Sequence, residues 1–327
     1  MEDMIQVSRV ACQEKGAYAI FQYIENIMVE KTTMFYIKAH VCHLEKALQG
    51  HQASVTYQGG IMETEALSLI DADRYPVHLP ESTAYLTLIQ QCRHDIKTYG
   101  ACRLPGFTTP DATRRMAMET DRVVHEAYPC RDTHNVYMEK DNDAFSEDHP
   151  RRRGQTSELD VIAYDQIDPG DGLYILYQWD DLLHFIAVVL EHASYYRMAD
   201  PLAALTVNVM HEGQNHGWHF DEAEVTTTLM IRKPEEGGAF EYVHNLRTDD
   251  RNEYDQVNRA LNDKHPDIQA LEVEPGTLLI FSGYYSMHRV TPVKGHVTRY
   301  VATLCYKDQP NVYNSPEVQK LFYGRTA

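Results

Sequence analysis

Two hydrophobic periods divide the chain. Up to about residue 200, apolar positions recur at helical spacings; beyond residue 203 they fall into short β-branched or aromatic runs broken by Gly, Pro and Asn. In the first part, residues 17–49 carry Ile20, Tyr23, Ile24 and Ile27 at mixed helical intervals and predict one or two helices. ASVTYQGG then predicts a short strand and turn, and GGIMETEALSLI a helix. STAYLTLIQQCRHDIKTYG predicts an amphipathic helix stopped at Gly100, with Leu86, Leu88, Ile89 and Ile96 on one broad apolar side. ACRLPGF predicts a strand and turn, and TTPDATRRMAMETDRVVHEAY a helix with a Thr cap and a proline in its first turn. Residues 131–160 are polar and charged and predict loop; DDLLHFIAVVLEH predicts a helix over 180–192, capped by Asp180 or Asp181.

ALTVNVM, EVTTTLMIRK, AFEYVHN, IQALEVE, GTLLIFSG and TRYVATLCYK follow as strands, interrupted by a polar helix over 252–263 with Tyr254, Val257 and Leu261 on one side. This cadence predicts an antiparallel sandwich or barrel preceded by helices, an α+β protein. The first eighty residues carry no motif tied to chemistry. They are expected to form a mainly helical N-terminal extension, 1–82, ahead of a domain over 83–327.

Composition narrows the partners. With 48 acidic and 30 basic residues the formal charge is −18, which repels phosphate backbones and argues against nucleic acid. The cluster RRR at 151–153 is the one hint of a basic groove. The six cysteines are scattered and never form CxxC, so reduced buried thiols are expected rather than a disulfide framework. No apolar run spans a bilayer, and MEDMIQVSRV lacks a signal-peptide pattern; a cytoplasmic location follows by elimination.

The candidate chemistry lies in HGWHFD at 216–221 and SMHRVTP at 286–292. In extended backbone, residues two apart share a face, so His219 and Asp221 converge while Trp218 and Phe220 turn away into packing. His288, after the turn Pro275-Gly276 and the strand Leu278–Phe281, is the candidate third ligand. Two histidines and one carboxylate would leave three adjacent positions open on an octahedral Fe(II). Eleven residues after His288, Arg299 offers a cationic fork suited to bidentate capture of a carboxylate. Each residue taken singly has an ordinary structural explanation. Their joint order, with strands between them, favours a metal site.

NHGWHFDEAEVTTTLMI, EEGGAFEYV and PGTLLIFSGYYSMHRVTPVKGHVTRYVA together resemble the non-haem iron(II), 2-oxoglutarate-dependent dioxygenases. GACRLPGF resembles the strand entering their double-stranded β-helix, a jelly-roll or cupin-like core with flanking helices. Within that superfamily, ADPLAALTVNVM, GWHFD, YSMHRVTPV and SPEVQKLFYGR are similar to the amino-acid hydroxylase and halogenase group. The resemblance implies iron held by His219, Asp221 and His288, with 2-oxoglutarate chelated to it and dioxygen as the other cosubstrate. It also implies Arg299 on the far carboxylate of 2-oxoglutarate, helped by Thr291. A ferryl intermediate would take a hydrogen from the substrate, with succinate and CO2 released. In halogenating members a glycine replaces the metal carboxylate; Asp221 therefore points to hydroxylation.

The same resemblance places His216 and Glu222 on the carboxylate and amine of a free amino acid or small amine-bearing metabolite. It gives a clamping role to Arg151 or Arg153, in a His-Pro-Arg-like element. It implies no catalytic residue beyond the metal ligands, and a place in secondary metabolism. Desaturation or oxidative C–N ring closure, such as aziridine formation, would share the first hydrogen abstraction. A cupin using another metal fits less well, because His288 lies twelve residues beyond Gly276. A non-catalytic β-sandwich binding module would have no need of all four of His219, Asp221, His288 and Arg299.

Overall fold

A computed structural model describes residues 62–248 and 250–327 of the protein, and Met62–Ala327 form a body of their own. The helices expected over 17–49 and the strand ASVTYQGG lie outside the described residues. Residues 62–69 form helix α1. Its Ala66 and Leu69, with Ile70, Tyr75 and Val77 after it, belong to the main buried cluster. These residues thus pack into the same body as the chain after residue 83.

Helix α2 (Thr83–Tyr99) starts at Ser82, whose hydroxyl accepts from Tyr85 N, and ends at Gly100 in the left-handed region with φ 72°. Its buried residues are Tyr85, Ile89 and Cys92, whereas Leu86 is exposed. Leu88 and Ile96 pack against the core as expected, and Tyr85 takes the buried place expected of Leu86. Strand β1 (Ala101–Leu104) follows, then α3 (Pro110–Val123), capped by Thr109 with proline in its first turn. After β2 (Tyr128–His134) and β3 (Gln155–Ile162) come α4 (Gly172–Gln178) and α5 (Asp180–Val189). The N-cap of α5 is Trp179, without a side-chain bond, and both aspartates expected to cap it sit in the first turn instead. There their charge still favours the helix N-terminus.

The remaining strands are β4 (Tyr196–Arg197), β5 (Leu205–Met210), β6 (His216–His219), β7 (Thr226–Arg232), β8 (Glu236–Gly237) and β9 (Phe240–Val243). Past helix α6 (Tyr254–Leu261) come β10 (Gln269–Leu271), β11 (Leu278–Phe281), β12 (Met287–Val290), β13 (Val293–Lys294), β14 (Arg299–Leu304) and β15 (Tyr306–Lys307), and helix α7 (Pro316–Tyr323) follows. Two antiparallel sheets dominate. One has seven strands in the order β1-β11-β7-β14-β5-β3-β2, the other four in the order β10-β9-β12-β6. Apart from β8, β10 and β13, the chain from β5 to β14 alternates strictly between them: β5, β7, β11 and β14 in the large sheet, β6, β9 and β12 in the small. That alternation is a double-stranded β-helix.

Strand periodicity explains the layers. On β11, Leu278 and Ile280 turn outward into the helix-covered core with Ile89, Met116 and Phe185. Leu279 and Phe281 turn inward, and Phe281 packs edge-on to Phe240 and Tyr242 of the small sheet. By register, Thr226 and Thr228 on β7 share that inward face, as do Arg299, Val301 and Thr303 on β14.

The segment 131–160, expected to be loop, contains most of β2 and β3, which pair from Tyr128↔Val161 to His134↔Gln155. Its charge belongs to an edge hairpin: Arg131 lies opposite Glu158 and bonds Asp160 at 3.0 Å. Opposite charges across a pair and charged edge strands are ordinary sheet features, but they erase the hydrophobic alternation by which strands are recognised. Helix α6 packs its Val257, Ala260 and Leu261 with Trp218, Phe220 and Met287 on the outer side of the small sheet. No helix among the described residues is long and apolar enough to cross a membrane.

One buried carboxylate ties the C-terminus to the sheet. Asp200 accepts from Leu202 N and Ala203 N on one oxygen, and from Asn314 N and Gln319 Nε2 on the other. Burial alone would push its carboxyl up, but these hydrogen bonds outweigh it and hold the pKa below the ordinary value. A folded-state pKa below the unfolded one adds stability above the unfolded value, lost as pH falls through the folded one. Asp200→Ala, which strands four donors, is expected to cost about 3 kcal/mol. Its denaturation midpoint should differ from wild type at pH 7, and the gap should close in acid below about pH 4. A gap independent of pH would show that the charge is not what stabilises.

Candidate metal centre

The site begins with the register of two strands. On β12, His288 lies directly opposite His219 of β6, and Val290 opposite His216. Two steps along β12 thus match three along β6, a bulge with one extra residue. The bulge turns His216 and His219, three apart in sequence, to the same side, where their rings stack at 4.0 Å. The rings of His219 and His288 meet across the strands at 4.1 Å. Asp221 lies two residues past His219, and its Oδ1 is 3.5 Å from His219 Nε2 and 3.4 Å from His288 Nε2. One donor atom from each of the three falls within 4.8 Å of the others.

The surroundings fix which atoms point inward. His219 Nδ1 donates to Gly217 O at 2.8 Å and His288 Nδ1 to Ser286 O at 3.0 Å. A carbonyl only accepts, so each Nδ1 carries a proton, and the inward-turned Nε2 is the atom that a neutral ring would offer to a metal as a lone pair. Burial, then the neighbouring His288, lowers the His219 pKa. Burial would raise that of Asp221, but the two imidazoles facing it hold the carboxyl well below its usual range. Neutral imidazoles and an ionised carboxylate are the protonation states that a divalent metal requires. The donor set therefore fits such an ion.

Asp221 is held from two more sides. Thr226 Oγ1 donates to its Oδ2 at 2.6 Å, and its backbone N donates to Gly283 O at 3.1 Å. A Cβ on Gly283 would fall 1.9 Å from Asp221 Oδ2, so only glycine leaves room for that carboxylate. His134 stands beyond His216 and His219 and shares the Ser157 hydroxyl with Gly217 N. Sequence reasoning missed Thr226, Gly283 and His134. Only Thr226 had a local signal, as an inward position of the Thr226-Thr227-Thr228 run.

Arg299 opens β14 on the inward face and is 4% exposed. Its Nε donates to Gly238 O at 3.1 Å, and no carboxylate among the described residues pairs with it. Burial lowers its pKa to about 10. Gly238, at φ 57°, lets the arginine stem lie against the backbone, since a Cβ there would meet Arg299 Cδ at 3.0 Å. Thr291 Oγ1 accepts from Ala239 N, next in sequence, which leaves its own proton to donate. A buried guanidinium without an anion is costly, and an incoming carboxylate would relieve that cost. This fits an oxoacid cosubstrate.

The other residues singled out from sequence scatter more widely. His216 belongs to the ring stack, and burial, then His219, lowers its pKa. Glu222 is exposed. Arg151 lies 3.3 Å from Glu139 and over the rings of Tyr137 and Phe145, with its Nε buried and unpartnered. Arg153 donates to Asn262 Oδ1 and Leu261 O, at the C-terminal end of α6.

The sequence profile of the family described as HalD, halogenase D, matches residues 85–320. The chain belongs to the halogenase D family. This halogenase D family member combines a double-stranded β-helix with a His–Asp–His cluster that could hold a metal ion. No curated protein sequence matches it. Among solved structures it is similar to a 2OG-Fe(II) oxygenase from Burkholderia pseudomallei, at 12% identity over 68% of this chain and 92% of that one, TM-score 0.44. It is also similar to a Pseudomonas putida prolyl-4-hydroxylase, at 16% identity over 66% and 97% of the chains, TM-score 0.40. A third is the carbocyclase SnoK from nogalamycin biosynthesis, at 15% identity over 73% and 92%, TM-score 0.47. At such identities the likeness is one of chain shape and says nothing of substrate.

Thr226→Val keeps the side-chain volume but removes the hydroxyl from Asp221. It is expected to weaken Fe(II) binding about 10–100-fold in anaerobic titration, with an unchanged circular dichroism spectrum. Wild-type affinity would mean that Asp221 is held without it.

Proposed function

We propose that this halogenase D family member hydroxylates a free amino acid or small amine-bearing metabolite in a biosynthetic pathway. The overall change is RH + O2 + 2-oxoglutarate → ROH + succinate + CO2. The retained carboxylate of Asp221, seated in the space that Gly283 leaves and facing both Nε2 atoms, carries this reading. His219, Asp221 and His288 would hold the iron. Asp221 fills the position that a halide needs, so oxygenation is favoured over the halogenation in the family's name. Iron(II) with 2-oxoglutarate and dioxygen supplies an oxidant able to take hydrogen from an unactivated C–H bond.

The chain's own residues orient and exclude. Arg299, with the Thr291 hydroxyl, would bind the far carboxylate of 2-oxoglutarate and set which end meets the metal. Phe240 and Phe281 pack against the His288 ring and keep water from that side. His216, stacked on His219, and Glu222, next to Asp221 in sequence, would contact a zwitterion's carboxylate and amine. Of the two arginines, Arg153 donates to Asn262 and Leu261 at the end of α6, whereas Arg151, paired with Glu139, keeps a buried Nε without a partner and would be the one to clamp the substrate carboxylate.

Incubation with Fe(II), 2-oxoglutarate, chloride and a panel of amino acids under 18O2 should yield succinate and a product bearing one 18O and no chlorine. Asp221→Ala should reduce succinate to background, and full turnover in that variant would sink the ligand assignment. Arg299→Gln should raise KM for 2-oxoglutarate roughly 10–100-fold, the equivalent of one charged hydrogen-bonded pair. A chlorinated product from the wild type would overturn the hydroxylation reading.

A further inference from the structure

One guanidinium beside the metal centre has no role in the reading above. Arg247, in the loop between β9 and α6, is half-buried, and no carboxylate among the described residues pairs with it. Its Cζ lies 3.6 Å from the ring centre of Tyr284, 4.6 Å from that of Phe220 and 5.9 Å from that of Tyr137. Its polar contacts are carbonyls: Nη2 donates to Asp221 O at 2.9 Å and Nε to Tyr284 O, while its backbone N donates to Tyr285 O at 3.3 Å.

Those carbonyls belong to the two segments that build the metal centre. Asp221 is itself a candidate ligand. Tyr284 follows Gly283, whose carbonyl accepts from Asp221 N and whose missing Cβ makes room for the Asp221 carboxylate. Tyr285 precedes Ser286, whose carbonyl orients His288 through Nδ1. Neither segment is regular strand at these residues; the main-chain bonds Asp221 N to Gly283 O and Tyr284 N to Glu224 O join them, and the guanidinium adds a side-chain bridge between their carbonyls. A planar fork can donate to two carbonyls at once while its face stacks on a ring; an ammonium cannot.

We propose that Arg247 is a positioning residue for the metal centre, clamping the main chain of Asp221 to the 283–286 turn so that the carboxylate faces both imidazoles. The clamp acts from outside the ligand set, through two carbonyls and the Tyr284 ring. It rests on the metal reading of that site and extends it to the residue that holds the ligand geometry.

Arg289 supplies the comparison. It follows His288 directly and stacks on Trp218 at 4.5 Å, yet its polar partners are the carboxylates of Glu241 on β9 and Asp263 just past α6, and none is a main-chain carbonyl of the ligand segments. The experiment is an anaerobic Co(II) titration of wild type, Arg247→Met, Arg247→Lys, Arg247→Ala and Arg289→Met, following the visible ligand-field bands and the thermal midpoint. Arg247→Met should bind Co(II) about 10–100-fold more weakly and with shifted bands at full loading. Arg247→Lys should behave like it, because charge alone does not bridge the carbonyls. Millimolar ethylguanidinium should return the bands of Arg247→Ala towards wild type. Arg289→Met should lower the thermal midpoint and leave affinity and bands unchanged. Wild-type affinity and bands in Arg247→Met and Arg247→Lys would overturn the clamp alone. So would losses in all variants that simply track the thermal midpoint. A wild-type protein that takes up no Co(II) would overturn the metal reading itself, and the clamp with it.

Discussion

The centre depends on one cross-strand pairing, His219 of β6 opposite His288 of β12. Residues far apart in sequence become neighbours because the small sheet fixes their register. A slip by one residue would send either imidazole to the other face, among Trp218, Phe220 and Met287. The outer cluster under α6 therefore does more than bury apolar surface. Trp218 and Phe220 alternate with His219 and Asp221, so burying the first pair against Val257 and Leu261 commits the second pair to the interior. The hydrophobic effect sets the direction in which the polar residues point.

Within that frame, hydrogen bonds perform the finer task. One backbone carbonyl holds the Nδ1 proton of each histidine, and Thr226 and Gly283 fix the carboxylate between them. None of these contributions is large as a share of folding free energy, but a metal centre responds to misplacement of a fraction of an ångström. The buried guanidinium of Arg299 follows a different logic. It lies against Gly238 and Met210 with no carboxylate partner among the described residues, and the rest of the core bears the cost of its burial.

Much of this was legible before any coordinates. Runs such as TLLIF and RYVATL show their strands by composition, and the spacing of His219 and Asp221 makes sense only in extended backbone. Ser82, Thr109 and Gly100 mark their helix ends because capping and left-handed conformation demand those residue types. The β2–β3 hairpin was illegible for an equally physical reason. Its pairs set Arg131 against Glu158 and Asp132 against Ser157, so its stability comes from cross-strand partners that a local window cannot see.

The site divides along the same line. Ligands betray themselves because metal chemistry restricts residue type and extended backbone restricts spacing. Supporting residues do not. A glycine that makes room, a threonine five residues past a ligand and an arginine that grips carbonyls all use chemistry common to any protein surface. What distinguishes Arg247 is its company, a guanidinium held by aromatic rings and main-chain oxygen where most half-buried arginines among the described residues have a carboxylate. Carbonyl contacts are indifferent to side-chain identity on the partner, so sequence holds no trace of them. The features that choose the metal are written in residue types, whereas those that hold its geometry are written in the folded backbone.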